Sequence, residues 1–433
     1  MLALLCLPKI ASGSVIQGVS LPKATAVGES HSGIKIELPA PTGPLAVGRI
    51  AYHWTDSSRT EPYATANGTY REVIVHVWYP ADVQPNAATL PYLQDFAALE
   101  KCAGEEEMKE LLGAAYESVK SGALRTHASS NAKISTSSRK YPLLVFSPGF
   151  GEQSLTYSAM LEDLASHGYV VAAIDHPYDA TCIVFPDGRS IAFAQDKWDA
   201  AIKSGGAIAY FASRIEIWAA DTRFVLDQLI RYNNTRGLKA PFASHLDLER
   251  IGVFGHSVGG MTAFRVGELD ERFRAIVNQD SDYQGRPFMS NSSAGNIKQP
   301  FLLFVSNHSF FKHVTPPTEK QLAAEKLTLA EFNKLMEGFD RNQEEALANM
   351  PGGSYRVAVE TPRFTHRSFI DVALFKSGDD PMALAQNLKN VQLVRAYTRA
   401  FFDKYLKGTN KTLLDETPLR DSGVQINRYQ SDQ

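Results

Sequence analysis

Hydrophobic positions along the chain fall into short, unbroken apolar runs that alternate with longer stretches of helical spacing. The apolar runs predict strands at residues 45–54, 71–81, 141–147, 169–175, 250–255, 273–279, 300–307 and 355–362. Apolar residues at helical spacing predict helices at residues 95–120, 154–167, 210–233, 258–269 and 383–407. Such alternation indicates an α/β fold with a mostly parallel central sheet and helices on both faces. The first two strands, joined by a turn-rich stretch, predict an antiparallel pair that leads into this sheet.

The chain has 433 residues, a length compatible with one large α/β domain that carries insertions. The predicted boundaries are 1–40 for an N-terminal segment, 41–410 for the domain, about 90–135 and 308–353 for two helical insertions, and 411–433 for a C-terminal tail. The Ser/Thr-rich stretch 126–138 predicts a surface loop.

Composition excludes several classes of function. A net charge of −3 gives no electrostatic case for binding nucleic acid. No apolar run reaches the length of about 18 residues that a transmembrane helix needs. The sequence also lacks a glycine-rich phosphate loop and a Cys/His cluster with metal-ligand spacing, so neither an organic cofactor nor a metal is expected.

The N-terminus bears on the cellular compartment. The stretch "MLALLCLPKIASGS" is apolar and ends in small residues, as the back half of a signal peptide does, although it has no basic start. We interpret it as a truncated signal for a secreted or periplasmic protein; the alternative is an unstructured start. Removing it would remove Cys6 and leave Cys102 and Cys182. These two could form a disulfide in an oxidising compartment, but the sequence favours two separate buried thiols.

Ser257 lies in "RIGVFGHSVGGMTAFRV", between an apolar strand and a helix. The pattern Gly-x-Ser-x-Gly is weak by itself, but a strand, a tight turn and a helix are what a nucleophile elbow requires. Such a turn raises the serine hydroxyl above the end of the sheet, next to the positive end of the helix. The alternative is a glycine-rich turn in which Ser257 caps the helix.

A serine nucleophile needs a base to accept its proton and a carboxylate to orient that base. In an elbow-containing hydrolase the chain order is Ser, Asp or Glu, then His. Asp280 follows the strand 273–279 directly, and Asp282 on the same loop is the competing acid. For the base, His366 in the loop after the last strand competes with His308, which follows the strand 300–307.

The third requirement is an oxyanion hole, in which backbone N–H groups point to the negative charge of the tetrahedral intermediate. Val258, directly after the elbow serine, should supply one N–H group. The loop "SPGFG" after the strand 141–147 should supply the other, and we assign it to Phe150. This loop could also be an ordinary tight turn.

Five segments together resemble the platelet-activating factor acetylhydrolase family, the calcium-independent secreted or lipoprotein-associated phospholipases A2 of the α/β-hydrolase superfamily. They are "YPLLVFSPGFG", "YSAMLEDLASHGYVVAAIDHPYDA", "LERIGVFGHSVGG", "FRAIVNQD" and "THRSFIDVALF". The likeness covers about residues 45–80, 140–310 and 355–405. Its most specific part is "DLASHGYVVAAIDH", since many esterases share the elbow.

The resemblance implies a serine ester hydrolase that needs no cofactor. It places the nucleophile on Ser257, the acid on Asp280, the base on His366 and the oxyanion N–H groups on Phe150 and Val258. The implied substrate is a phospholipid with a short sn-2 acyl ester. General short-chain esterases, polyester or cutin-type hydrolases, and a catalytically silent binding module are the alternatives.

Two features depart from the family pattern. Pro148 stands where a histidine is usual, and residues 308–353 look like an atypical helical insertion. That insertion could be a lid or a lipid-docking surface that brings Phe310 and Phe311 to an interface. It could equally be an ordinary pair of packed helices.

Overall fold

The structure is a computed structural model that describes residues 36–429, except 67, 85, 205–206, 236–237, 282–296, 307–327, 362, 379 and 420–421. Among the described residues, the strands are β1 Ala46–Thr60, β2 Tyr70–Asp82, β3 Thr89–Pro91, β4 Arg125–Ser130, β5 Lys133–Ile134, β6 Tyr141–Ser147, β7 Val170–Asp175, β8 Cys182–Val184, β9 Ser190–Ala192, β10 Leu246–His256, β11 Phe273–Gln279, β12 Phe301–Ser306, β13 Ser354–Val359 and β14 Val424–Tyr429. The α-helices are α1 Phe96–Ala103, α2 Glu105–Leu112, α3 Tyr116–Lys120, α4 Ser158–Ser166, α5 Gln195–Lys203, α6 Ala207–Asn234, α7 Val258–Leu269, α8 Leu329–Ala348, α9 Val372–Phe375 and α10 Pro381–Leu406.

One sheet organises the domain, in the order β14-β13-β12-β11-β10-β6-β7-β2-β1-β4-β3, with β5 paired to β2. The six strands from β13 to β7 are parallel to one another. Strand β2 is antiparallel to both β7 and β1. This arrangement confirms the predicted mostly parallel α/β sheet and the antiparallel pair that leads into it.

Both faces of the sheet are buried, because successive side chains of a strand point to opposite faces. In β6, Leu144 and Phe146 join one hydrophobic cluster with side chains of α4 and α10. Leu143 and Val145 join a second cluster with side chains of α6 and α7. The unbroken apolar runs in the sequence therefore reflect burial on both sides.

The helical stretch predicted at 95–120 is divided into short helices. Gly104 and Gly113 end α1 and α2 with φ values of 101° and 50°, a region of backbone conformation that favours glycine. The surface loop predicted at 126–138 is wrong in two places, because β4 pairs with β1 and buries Thr126 and Ala128, and β5 pairs with β2. The carboxylate of Glu162 accepts hydrogen bonds from two backbone N–H groups of β4, a contact that the local sequence does not indicate.

The C-terminal residues also contribute to the sheet. Residues 424–429, assigned to the tail by their sequence pattern, form the edge strand β14 and pair antiparallel with β13. Their polar residues fit an edge strand, which is only partly buried. The predicted insertion 308–353 contains α8, and its residues up to 327 lie outside the described part of the chain, as do Phe310 and Phe311.

None of the described helices combines the length and hydrophobicity needed to cross a membrane.

Cys102 and Cys182 form a disulfide, so the interpretation as two separate thiols is wrong. The bond joins α1 to β8 across 80 residues of sequence. Local sequence patterns cannot reveal this pairing, because the helix and the strand that carry the two cysteines come together only in the folded protein.

Removing this disulfide should destabilise the protein. The variant Cys102→Ser/Cys182→Ser should lose up to about 4 kcal/mol of unfolding free energy, because a long loop of the unfolded chain is no longer closed. Urea denaturation with and without dithiothreitol measures this loss. The reductant should shift the midpoint of the wild type and leave that of the double variant unchanged; a wild-type midpoint indifferent to reductant would contradict the prediction.

Candidate active site

Ser257 occupies a sharp turn between the end of β10 and the start of α7. Its φ of 56° and ψ of −123° are rare for a residue with a side chain. Such a conformation costs on the order of 1–3 kcal/mol and persists only where neighbouring structure enforces it. Here the Ser257 N–H donates to the carbonyl oxygen of Gln279 at 2.9 Å, and the Ser257 carbonyl accepts from the Gly260 N–H at 2.9 Å.

The two glycines of the motif are required by close packing. A Cβ atom at Gly255 would lie 2.2 Å from the carbonyl oxygen of Gly259. At Gly259 it would lie 2.0 Å from the carbonyl oxygen of Ser147, at the end of β6. Because both neighbours are backbone atoms, no side-chain movement could make room, and the turn has the geometry of a nucleophile elbow.

Asp280 and His366 lie together, although 86 residues separate them. Asp280 follows β11 and its buried carboxylate accepts hydrogen bonds from the Ser306 N–H at 2.6 Å and the Ser306 hydroxyl at 2.9 and 3.0 Å. Its Oδ2 atom lies 2.8 Å from Nδ1 of His366. The competing residues Asp282 and His308 lie outside the described part of the chain.

The His366 ring is placed directly beside the elbow. Its centroid lies 4.4 Å from that of His256, the residue that precedes Ser257. The His366 side chain is 29% exposed, whereas Asp280 is fully buried behind it. This arrangement of a partly exposed imidazole and a buried carboxylate suits a base that accepts a proton from a serine hydroxyl.

A short 3-10 helix, His366–Phe369, carries the imidazole and is fixed from behind by Asp371. The Asp371 carboxyl accepts from the Ala159 N–H in the first turn of α4 at 3.1 Å, and its own N–H donates to the Thr156 carbonyl at 2.8 Å. Burial raises the pKa of Asp371 to about 8. The motif "HRSFID" therefore includes both an imidazole at the site and a carboxyl group that anchors its loop.

Phe150 and Val258 present N–H groups that have no hydrogen-bond partner among the described residues. The neighbouring loop N–H groups are occupied, since Gly149 donates to the Tyr157 hydroxyl at 2.9 Å and Gly151 to the Asp179 carbonyl at 2.8 Å. A Cβ atom built on Gly149 would lie 3.4 Å from Cβ of Ser257. The loop thus lies against the elbow with Phe150 N–H available, and Pro148 removes one further donor.

An aromatic cluster lies beside the two proposed oxyanion residues. The Phe150 ring lies 5.1–6.0 Å from four others: Phe193, Trp198, Tyr210 and Phe211. Val258 packs in the same cluster. The sequence motifs did not indicate this aromatic wall around Phe150, because its other rings come from α5, α6 and the residue Phe193 just before α5, none of which carries a motif.

A second Ser–His–Asp arrangement lies beneath the site. His176 Nδ1 lies 2.8 Å from Asp221 Oδ2, and His176 Nε2 lies 3.2 Å from Ser147 Oγ. All three side chains are at most 2% exposed, and burial lowers the pKa of His176. Without access to solvent this set cannot meet a substrate, so we interpret it as structural.

The described residues contain no group of three or more His, Cys, Asp or Glu side chains placed to hold a metal ion.

Comparison with known proteins shows which sequences and structures the chain resembles. The family model "Platelet-activating factor acetylhydrolase, isoform II" matches residues 30–198. A probable 1-alkyl-2-acetylglycerophosphocholine esterase of Arthroderma benhamiae is 26% identical over 87% of this chain and 90% of its own length. The chain is similar to proteins named as platelet-activating factor acetylhydrolases or 1-alkyl-2-acetylglycerophosphocholine esterases. This confirms the resemblance seen in the sequence motifs.

Other relatives of the acetylhydrolase type match less of the chain. The platelet-activating factor acetylhydrolase of Canis lupus familiaris is 28% identical over 56% of each protein, and that of Bos taurus is 27% identical over 49% of this chain and 50% of its own. The chain therefore matches about half the length of these mammalian relatives. The family model ends before Ser257, so the match contains the loop 147–151 but not the Ser257 turn.

The solved structure of a ferulic acid esterase from Streptomyces cinnamoneus superposes with a TM-score of 0.66 and 27% identity, covering 90% of this chain and 98% of the other. The fold is the α/β-hydrolase fold predicted from the sequence. Since the relatives and this neighbour are named as acetylhydrolases or esterases, the chain is a carboxylic ester hydrolase.

Proposed function

We propose that the chain is a serine esterase that cleaves the short sn-2 acyl ester of phospholipids resembling platelet-activating factor. The observation that carries the proposal is the Asp280–His366 pair, joined at 2.8 Å and lying beside the strained Ser257 turn. The substrate class is taken from the names of the relatives.

In the proposed reaction, His366 accepts the Ser257 proton as the hydroxyl oxygen attacks the ester carbonyl. Asp280 stabilises the imidazolium that forms, and the N–H groups of Phe150 and Val258 hold the oxyanion. Collapse of the intermediate breaks the ester bond, and the lysophospholipid leaves with the proton from His366. A water molecule, deprotonated by His366, then releases the acyl group from Ser257.

A second candidate is a general short-chain carboxylesterase or a polyester or cutin-type hydrolase. The aromatic wall around Phe150 and the similarity to the ferulic acid esterase favour it, because both fit an apolar substrate without a charged head group. Rates on short-acyl phospholipids compared with nitrophenyl esters of the same acyl group distinguish the two. The third candidate is a catalytically silent binding module, which would turn over no ester.

Ser257 should be the acylated residue. A fluorophosphonate probe should label the wild type and leave Ser257→Ala unlabelled, because only an activated serine hydroxyl displaces the fluoride. Ser147→Ala is the matched control, since it removes the hydroxyl of the buried Ser147–His176–Asp221 arrangement and should still be labelled. Intact labelling of Ser257→Ala, assayed by gel fluorescence, would contradict both the elbow assignment and the proposed serine chemistry.

We further propose that the protein works outside the reducing cytosol, either secreted or in a periplasm. The Cys102–Cys182 disulfide supports this, because such bonds persist in oxidising compartments. Thiol-specific alkylation of protein recovered from its native source should find Cys102 and Cys182 unmodified before reduction and modified afterwards.

A further inference from the structure

A buried hydrogen-bond path connects the oxyanion loop to the elbow. The Gly149 N–H donates to the Tyr157 hydroxyl at 2.9 Å, and that hydroxyl lies 2.8 Å from Nδ1 of His256. Tyr157 and His256 are at most 1% exposed. The path therefore joins residue 149, next to Phe150, to residue 256, next to the elbow serine.

The direction of each hydrogen bond in this path follows from counting protons. The Tyr157 oxygen accepts the Gly149 N–H and has a single proton of its own to donate. That proton can be used only if His256 offers a lone pair at Nδ1, which requires a neutral imidazole protonated at Nε2. Burial lowers the pKa of His256 well below its usual range, so the ring is neutral as the path requires.

The two ends of the path carry the two proposed oxyanion donors. Phe150 follows Gly149, and Val258 lies two residues after His256 at the start of α7. The His256 ring is further held between Phe369, stacked at 5.4 Å, and the His366 ring at 4.4 Å. The path thus links the two segments that carry these donors.

We propose that Tyr157 and His256 are positioning residues that set the spacing of the Phe150 and Val258 N–H groups. The inference rests on the proposed serine esterase function. The Tyr157 hydroxyl contacts Gly149 and His256, and the His256 ring lies beside the ring of the proposed base. Both residues act through the backbone, which must present both N–H groups to the oxyanion of the transition state.

The first variant is Tyr157→Phe, which removes the hydroxyl and keeps the ring that packs on Phe146 at 4.8 Å. We expect kcat to fall by about 10- to 100-fold with KM nearly unchanged, because a displaced oxyanion donor weakens binding of the transition state only. Tyr169→Phe is the matched control. Tyr169 is equally buried, and its hydroxyl donates to Asp403 at 2.7 Å instead of to the site. It should lose similar stability and keep its kcat.

The second pair of variants tests the acceptor on His256. In His256→Asn the side-chain carbonyl oxygen can replace Nδ1 and accept the Tyr157 proton, so kcat should stay within a few-fold of the wild type. His256→Leu offers no acceptor and should match Tyr157→Phe. The double variant Tyr157→Phe/His256→Leu should be no slower than either single change, because both break the same path.

Equal kcat values for Tyr157→Phe and Tyr169→Phe would overturn the inference, as would a His256→Asn variant no faster than His256→Leu. If Tyr157→Phe does not fold, the comparison of the two His256 variants decides. Stoichiometric fluorophosphonate labelling of the wild type separates this inference from the proposed function. Failure to label Ser257 removes the function, whereas normal labelling with unaffected Tyr157→Phe turnover removes the positioning role alone.

Discussion

His366→Ala is expected to lower kcat by at least about 10⁴-fold, because the Ser257 proton then has no acceptor. Asp280→Asn should cost about 10³- to 10⁴-fold, since an amide can hold the imidazole in the wrong tautomer and cannot stabilise the imidazolium. The contacts around Asp280 support this assignment. The Ser306 N–H donates to Oδ1 and the Ser306 hydroxyl reaches both carboxylate oxygens, while Oδ2 lies 2.8 Å from His366 Nδ1.

Steady-state hydrolysis of a soluble acetyl ester measures both effects, with urea denaturation to show that each variant is folded. His308→Ala and Asp282→Asn are the matched controls, because they remove the competing histidine and aspartate. Both should retain turnover within a few-fold of the wild type. An inactive His308→Ala together with an active His366→Ala would replace the proposed base. The double variant Ser257→Ala/His366→Ala should keep the same residual kcat as each single variant, because the two residues act as one unit.

The predicted strands of the central sheet agree with the structure because their side chains are buried on both faces. That burial demands unbroken apolar runs such as 141–147 and 273–279, which coincide with β6 and β11. Strands β4 and β14 carry more polar residues and lie toward the edges of the sheet, so their sequences resemble loops. Hydrophobic periodicity identifies strands whose side chains are apolar on both faces and misses strands that carry mostly polar or small side chains.

The residues of the candidate site also fall into those that the sequence could predict and those that it could not. The Ser257 turn was predictable because it is local, and its glycines are dictated by backbone atoms within the turn and at the end of β6. The choice between Asp280 and Asp282, and between His366 and His308, needed the family resemblance. No local property of the sequence states which side chains meet across 86 residues.

Supporting contacts were not predictable from the sequence. Ser306, Tyr157 and Asp371 are ordinary polar residues in their own segments, and each acts on a segment that is distant in the chain. The disulfide is a further case, since cysteine count and composition could not pair Cys102 with Cys182. Such contacts depend on the complete fold.

The aromatic wall beside Phe150 leads to a prediction about substrate length. Trp198, Tyr210 and Phe211 are each at most 8% exposed and fill the space next to the Phe150 ring. If the acyl chain of a substrate held at the Phe150 and Val258 N–H groups runs toward these rings, it would reach their closed packing after a few carbons. Each further methylene would remain in water and gain none of the roughly 0.8 kcal/mol that burial provides, a factor of about four in kcat/KM.

We accordingly expect kcat/KM on monomeric esters to peak between acetyl and about hexanoyl, from this pocket-depth argument. A longer chain that presses on the wall would also displace the carbonyl from its two donors, and a shift of about 1 Å can cost 100-fold in rate. Rates on a series of esters from C2 to C16, measured above and below micelle formation, test the expectation. A lid formed by residues 308–353 would give the opposite result, with activity rising to long chains and increasing abruptly at the lipid–water interface. A maximum at C12 or beyond would contradict the short-chain prediction.

Trp198→Ala should move that maximum, because removing the indole opens space at the end of the wall. The variant should gain about fourfold in kcat/KM for each newly buried methylene on C8 and C10 esters, relative to the acetyl ester. Trp54→Ala is the matched control, since Trp54 is 7% exposed against 6% for Trp198 but belongs to a different hydrophobic cluster, which does not contain Phe150. Both variants should lose stability from the cavity left in a packed core, while only Trp198→Ala changes the chain-length profile. If both profiles stay equal to the wild type, the wall does not limit the acyl group, and chain length must be set elsewhere in the cleft.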